Sequence, residues 1–382
     1  NATLVETLSG VETVKSMNAQ GRQQKFWEQS LARLALIAMK AKRMTDSISI
    51  VSGFIIQTSV AAVVIIGVYQ IDKQLMSMGG LIACVLLSGR ALAPMAQLAN
   101  LISQYYQAKS ALTALDDLVD KPGEFTADKN YLCSDRPFNS VEARNITFGY
   151  TPGQQVLKSV SIKLNAGEKV AIIGKIGSGK SSLMRLLLGF GQPSTGQLLL
   201  NGLDLSHLNL SEVRDGIAYV PQEIILFRGS LRENILLKSP RASQKELLEV
   251  VEIAGLSAFV QNHPLGLDMP IGEQGKGLSG GQKQSVAIAR SLLNNPHVLL
   301  FDELTSSMDN QSEQLIITNI KRFAKEKTMV LSTHRASLLA LVDRVIVMDD
   351  GRIIADGEKN KVLDALKRGL IKSGSQEQYD DE

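Results

Sequence analysis

The sequence predicts an α-helical transmembrane segment followed by an α/β domain with a phosphate loop, and three observations carry that prediction. No charged side chain occurs from Ser47 to Ile71, and Gln74 to Ala108 carries only Arg90. Beyond Val141, short β-rich runs alternate with helical patterns, as in a mainly parallel sheet covered by helices. One of those runs, Lys169 to Ile173, leads into Gly174-Lys-Ile-Gly-Ser-Gly-Lys180-Ser181.

The bulk properties agree with a chain of this kind. At about 150 residues per domain, 382 residues allow roughly two and a half domains. The balance 41 − 38 = +3, with 21% charged and 5% aromatic residues, argues against a disordered chain and against a dedicated nucleic-acid binder. Cys84 and Cys133 are too few for a disulfide framework or a four-thiolate zinc site, so a reducing compartment is expected.

Residues 1–120 form the membrane part. The chain enters helix-like sequence at Asn1 without a signal peptide and reads as a piece of a longer protein. Trp27, Leu31, Leu34 and Ala38 line one face of an amphipathic helix that runs on towards a first span at about 47–71. A second span follows at about 74–108, after a tight turn at Asp72 and Lys73, and each is long enough for a hydrocarbon core of about 30 Å. Basic residues outnumber acidic ones before the first span, which places both ends of the pair on the cytoplasmic side. Arg90 marks either a translocation path or the depth at which the helix leaves the bilayer, and Pro94 is a place for a kink.

A polar linker is expected over 121–140, an α/β domain over 141–371, and a solvated acidic tail over 372–382. In the α/β domain the Gly174–Ser181 octet fits a phosphate loop: glycines let backbone N–H groups close around phosphates at a helix N-terminus, Lys180 reaches their oxygens, and the Ser181 hydroxyl coordinates Mg²⁺. Val298-Leu-Leu-Phe-Asp302-Glu303 is an apolar strand ending in two acids. Asp302 is placed to hold the metal through water, and Glu303 to take a proton from an attacking water. In Leu278-Ser-Gly-Gly-Gln282, Ser279 and Gln282 read as a capping box. Two glycines in that box, Gly280 and Gly281, also open the backbone to a bulky anion.

Leu278 to Gln282 resembles the signature sequence of ATP-binding cassette (ABC) proteins, and the other motifs of that family follow in order. They are Gln222 in Tyr219-Val-Pro-Gln, Asp302 with Glu303, Ser306-Ser-Met-Asp309, and His334 in Ser332-Thr-His. Tyr150 matches the aromatic residue on which the family stacks adenine. The resemblance implies ATP held by Gly174, Lys175, Ile176, Gly177, Ser178, Gly179, Lys180, Ser181 and Ser182 of one copy. Ser279 and Gly281 of a second copy would cover it in a head-to-tail homodimer, with Gly280, Gln282 and Asp309 also among the nucleotide-binding residues. It further implies Mg²⁺ at Ser181, Gln222 and Asp302, with Glu303, His334 and Gln222 as the catalytic set. Leu304 departs from the family's usual Pro and Lys283 from its usual Arg, which bears on the turn beyond the acids.

A membrane part followed by a nucleotide-binding domain resembles ABC exporters. Glu6 to Lys15 then looks like the loop carrying the second coupling helix, and the two spans like the last two of six. Gly174-Lys-Ile-Gly-Ser-Gly, Met308 and the run Ala355 to Leu366 most resemble the ATPases of type I protein secretion. That resemblance implies an exported protein substrate, a periplasmic adaptor, an outer-membrane channel, and an inner-membrane location with the ATP-binding domain in the cytoplasm. The alternatives are export of a lipid, drug or peptide, a soluble cassette acting on nucleic acid, and a nucleotide sensor without turnover. The spans argue against the soluble cassette, and Glu303 against the sensor.

Overall fold

The computed structural model describes residues 2–121, 123–124, 131–132, 137–151 and 153–370, except for the side chains of 2, 92, 93, 95–100, 102 and 103. Cys133, much of the expected linker and the expected tail 372–382 lie outside the described residues. The chain divides into two compact units, Asn1–Ala127 and Asp128–Glu382.

The first unit holds α1 (Ala2–Ser9), α2 (Val11–Ser16), α3 (Gln20–Asp72) and α4 (Met78–Val119). The amphipathic flank and the first span are one uninterrupted helix of 53 residues, about 80 Å at 1.5 Å per residue. By length and composition α3 is able to cross a membrane, whereas the apolar part of α4 found among the described residues is the shorter Met78–Ala91. The second helix therefore starts later than the expected 74. The cause is local: Gln74 adopts φ 58°, outside the helical region, and the Ser77 hydroxyl caps α4 by accepting from the Gly80 N–H at 3.2 Å. Helix α4 continues through Pro94, and Arg90 is exposed on it. The two long helices meet where α3 has no side chain: a Cβ on Gly67 would lie 2.3 Å from Leu81 Cδ1, and both residues are buried.

The second unit has twelve strands, eight α-helices and four short 3-10 helices among the described residues. The strands are β1 (Val141–Phe148), β2 (Leu157–Leu164), β3 (Lys169–Gly174), β4 (Thr195–Leu200), β5 (Leu203–Asp204), β6 (Ile217–Val220), β7 (Gly229–Ser230), β8 (Pro270–Ile271), β9 (Val298–Asp302), β10 (Thr328–Ser332), β11 (Arg344–Asp349) and β12 (Arg352–Glu358). The helices are α5 (Lys180–Leu187), α6 (Leu210–Gly216), α7 (Leu231–Ile235), α8 (Gln244–Ile253), α9 (Ser257–Asn262), α10 (Gly280–Leu292), α11 (Asn310–Phe323) and α12 (Lys359–Lys367).

A six-stranded sheet of order β12-β11-β3-β10-β9-β6 is parallel except at the β12 edge. Its central strands β3, β9 and β10 are apolar except at their ends because both faces are covered. Leu299, Phe301, Met329 and Leu331 enter one core, and Val298, Leu300, Val330 and Ile172 the other. A separate antiparallel sheet, β2-β1-β4-β5, closes the second core. The sequence reading had pointed only to a mainly parallel sheet. Strands β1 and β2 alternate buried with exposed positions, a weaker pattern than a continuous apolar run. Within the expected linker, Leu132 is bonded to this unit: its N–H donates to His207 O at 2.7 Å and its carbonyl accepts from Asn209 N at 3.2 Å.

Candidate nucleotide site

Parallel register assembles the site. Ser332 of β10 pairs with Ile172 of β3 on one side and Asp302 of β9 on the other, so the carboxyl ends of three strands stand level. Beyond them the chain leaves each strand as the phosphate loop, the Glu303 turn and the Thr333-His334 segment. Ligands of open α/β sheets bind at this edge. A cavity of about 340 Å³ there is lined by Val156, Ile176, Gly177, Ser178, Gly179, Lys180, Ser181, Ser182, Gln222, Asp302, Glu303, Ser306, Ser332 and His334.

The loop's glycines are required by geometry. A Cβ on Gly174 would lie 2.1 Å from the Met348 carbonyl oxygen. Gly179, at φ 97°, is the N-cap of α5 and has Leu157 2.7 Å from where a Cβ would be. Lys180 folds back over its own loop, its Nζ donating to Gly174 O at 2.7 Å and to Lys175 O at 2.9 Å. Burial lowers the pKa of that ammonium, against the pull of Glu303 and Asp302.

Glu303 is the one non-glycine residue of the cavity lining in the left-handed region, at φ 58°. Such a conformation costs on the order of 1–3 kcal/mol and persists only where neighbours enforce it. Its N–H donates to Ser332 O at 3.0 Å, and its side chain comes within 3.6 Å of His334 Nε2. Burial raises the Glu303 carboxyl above the ordinary carboxylate value; His334 and Lys180 pull it down, and Asp302 pushes it further up. Asp302 itself is buried. At the departure from the family's usual proline, Leu304 is fully buried in the core. The turn beyond the acids is therefore held by packing and hydrogen bonds instead of a proline ring.

The cavity suits a triphosphate with a hard divalent cation. The hydroxyls of Ser178 and Ser332 are buried and, among the described residues, have no hydrogen-bond partner. Both line the cavity, as do Ser181, Gln222 and Asp302. Among the described residues no group of three or more His, Cys, Asp and Glu is placed to hold a metal.

Other expected residues lie outside this cavity. Gly174 and Lys175 serve it through the carbonyls that hold Lys180. Tyr150 has its ring edge-on to Phe148 at 5.0 Å, its hydroxyl 3.1 Å from Ser182 Oγ, and its ring exposed. Asp309 caps α11, accepting from Gln311 N and Ser312 N at 3.0 Å each, and those N–H groups lower its pKa. Ser279 and Gln282 form the capping box, with both bonds present. Gly280 and Gly281 have an intramolecular reason to be glycine: a Cβ on either would lie 3.1–3.2 Å from Ser307. Sequence reasoning gave no site role to Val156, Ser306 or Ser332, the last two being named only as the first residues of two motifs, and all three line the cavity. It also missed Gln284, a fully buried amide behind the site; the only signal for it is a polar residue on the buried face of α10.

With the geometry in place, residues 157–306 match the ABC transporter family and residues 1–95 the ABC transporter transmembrane region. Relatives include the alpha-hemolysin translocation ATP-binding protein of Escherichia coli O157:H7, 35% identical over 371 residues, or 95% of this chain and 51% of the relative. The leukotoxin translocation ATP-binding protein of Mannheimia haemolytica is 34% identical over 364 residues, and the cyclolysin secretion/processing ATP-binding protein of Bordetella pertussis (strain Tohama I) 33% over 365. Each of these alignments likewise covers 95% of this chain and 51% of the relative. The chain thus spans about half the length of the relatives it matches. Among solved structures, a bacterial Atm1-family ABC exporter with ATP bound superposes with a TM-score of 0.87 at 30% identity, covering 97% of this chain and 64% of that one.

Proposed function

The chain joins the transmembrane region of the ABC transporters to their nucleotide-binding domain, and on that premise we propose that it is part of an exporter that hydrolyses ATP to move a protein across the inner membrane. The observation that carries the ATPase reading is the cavity that joins Lys180, Asp302, Glu303 and His334.

In this reading the phosphate loop and the N-terminus of α5 hold the triphosphate, and Lys180 exchanges its two carbonyl partners for phosphate oxygens. Glu303, whose basicity burial raises, takes the proton of the attacking water; His334, 3.6 Å away, contacts the transferred phosphate. Ser181, Asp302 and Gln222 would hold Mg²⁺, which neutralises charge developing on the phosphates. Ser279 to Gln282 sits at the exposed end of α10, outside the chain's own cavity, and would cover the nucleotide of a second copy. The spans lie in the bilayer with the ATP-binding domain in the cytoplasm.

Protein cargo is favoured by relatives named for haemolysin, leukotoxin and cyclolysin translocation or secretion, and an adaptor and an outer-membrane channel would go with such cargo. Export of a lipid, drug or peptide is the second reading, since the cassette motifs are shared whatever the cargo. ATPase rate against protein concentration tests the shared site. Specific activity should rise as copies associate, and Lys180→Ala should abolish ATP binding. Constant specific activity in demonstrably monomeric protein refutes it.

A further inference from the structure

Gln284 lies in the first turns of α10, fully buried, with its carboxamide against the loop that follows β9. Its Nε2 donates to Glu303 O at 2.6 Å and approaches Ser306 Oγ at 3.4 Å, while its Oε1 accepts from Ser307 N at 3.0 Å. One side chain thus uses both ends of its amide on the Glu303–Ser307 stretch of a single loop. That loop carries Glu303 in its left-handed conformation and has left the sheet, keeping one bond to a strand, from Glu303 N–H to Ser332 O.

The peptide groups on either side of Glu303 are held from different elements. The N–H before it goes to Ser332 of β10, and the C=O after it receives Gln284 of α10 and, within the loop, Ser306 N at 3.2 Å. Fixing both peptides fixes the Cα–Cβ direction of the carboxylate. Burial strengthens this hold, since no water can replace a lost donor at a fully enclosed site.

We propose that Gln284 is a positioning residue for Glu303, holding the general base in its strained turn from the helix that begins with Ser279 to Gln282. The proposal rests on the ATPase reading above. It is separate from nucleotide binding, because Gln284 is absent from the cavity lining.

The test compares the 382-residue chain with Gln284→Leu, which removes both bonds at similar size, and Gln284→Glu, which keeps an acceptor for Ser307 N–H but, when ionised, has no donor for Glu303 O. Each is made alone and in a Glu303→Gln background, and kcat, ATP affinity and thermal unfolding are measured. A displaced base should lower kcat by on the order of ten- to a hundred-fold at unchanged ATP affinity. In the Glu303→Gln background the same substitution should cause no further loss, since the group it positions is no longer a base. Equal losses in both backgrounds, a loss confined to ATP affinity, or an unchanged kcat overturns the proposal. So does loss of cooperative unfolding in both variants, which would make Gln284 a folding residue. Parent turnover that is insensitive to Glu303→Gln refutes the reading of Glu303 as the general base, on which the proposal rests. Turnover sensitive to Glu303→Gln but not to Gln284→Leu refutes only the positioning role.

Discussion

The two units of this chain use apolar side chains in opposite ways. In α3 and α4, Ile50, Phe54, Ile66 and Leu87 point outward, and contact between the helices centres on Gly67 and Leu81. In the second unit Phe301, Leu300, Val330 and Ile172 are fully buried on the two faces of one sheet. Burying apolar area from water is worth roughly 25 cal/mol per Å², but between lipid-facing helices that driving force is absent, because lipid tails are as apolar as leucine. The first unit is thus held by close backbone approach and the second by exclusion of water. Four substitutions test how far that contrast reaches.

The largest effect is expected where neither arrangement is touched. Glu303→Gln should lower ATP turnover by about 10²–10⁴-fold with ATP binding retained, measured by phosphate release and by nucleotide affinity. The raised carboxyl pKa puts the acid limb of the parent's pH–rate profile above the ordinary carboxylate value, with activity lost as pH falls through it. For stability the sign is reversed: the folded chain holds this proton more tightly than the unfolded one, so ionisation costs stability as pH rises past about 4.5. The amide removes that cost, and the variant should melt no lower than the parent at neutral pH.

Phe301→Ala should cost the second unit about 3–5 kcal/mol in denaturant unfolding, the loss typical of a fully buried aromatic. Gly67→Leu places a side chain where a Cβ alone already meets Leu81, and should destabilise the helix pair by about 1–3 kcal/mol. Proteolysis between α3 and α4 in detergent would detect it, with ATP affinity unchanged. Phe54→Ala should have the smallest effect, because an exposed α3 residue facing lipid leaves no cavity behind. A loss at Phe54 as large as at Phe301 would show that α3 buries its surface against protein and would break the contrast.

The sequence by itself determined the elements with local signals. Continuous apolar runs marked β3, β9, β10 and β11, since a strand covered on both faces must be apolar at every position. The phosphate loop was legible from its glycines, whose φ values and close approaches no other residue accepts. Asp302 and Glu303 stood out as charges ending such a run. The second long helix was legible in kind but not in start, because a left-handed Gln74 and the Ser77 cap delay it.

What only the tertiary structure decided depends on partners far apart in the chain. Ser332 and Val156 enter the cavity through strand register and loop approach, which a single strand's pattern does not encode. The antiparallel sheet stayed hidden because β1 and β2 alternate, and the pairing of β1 with β2 and β4 has no local mark. Gly280 and Gly281 read as an anion-binding opening, and the fold adds their packing on Ser307. Gln284 was invisible for the same physical reason. A polar residue on a helix is ordinary in a sequence, and only its complete burial against the Glu303 turn shows what its two hydrogen-bonding ends hold.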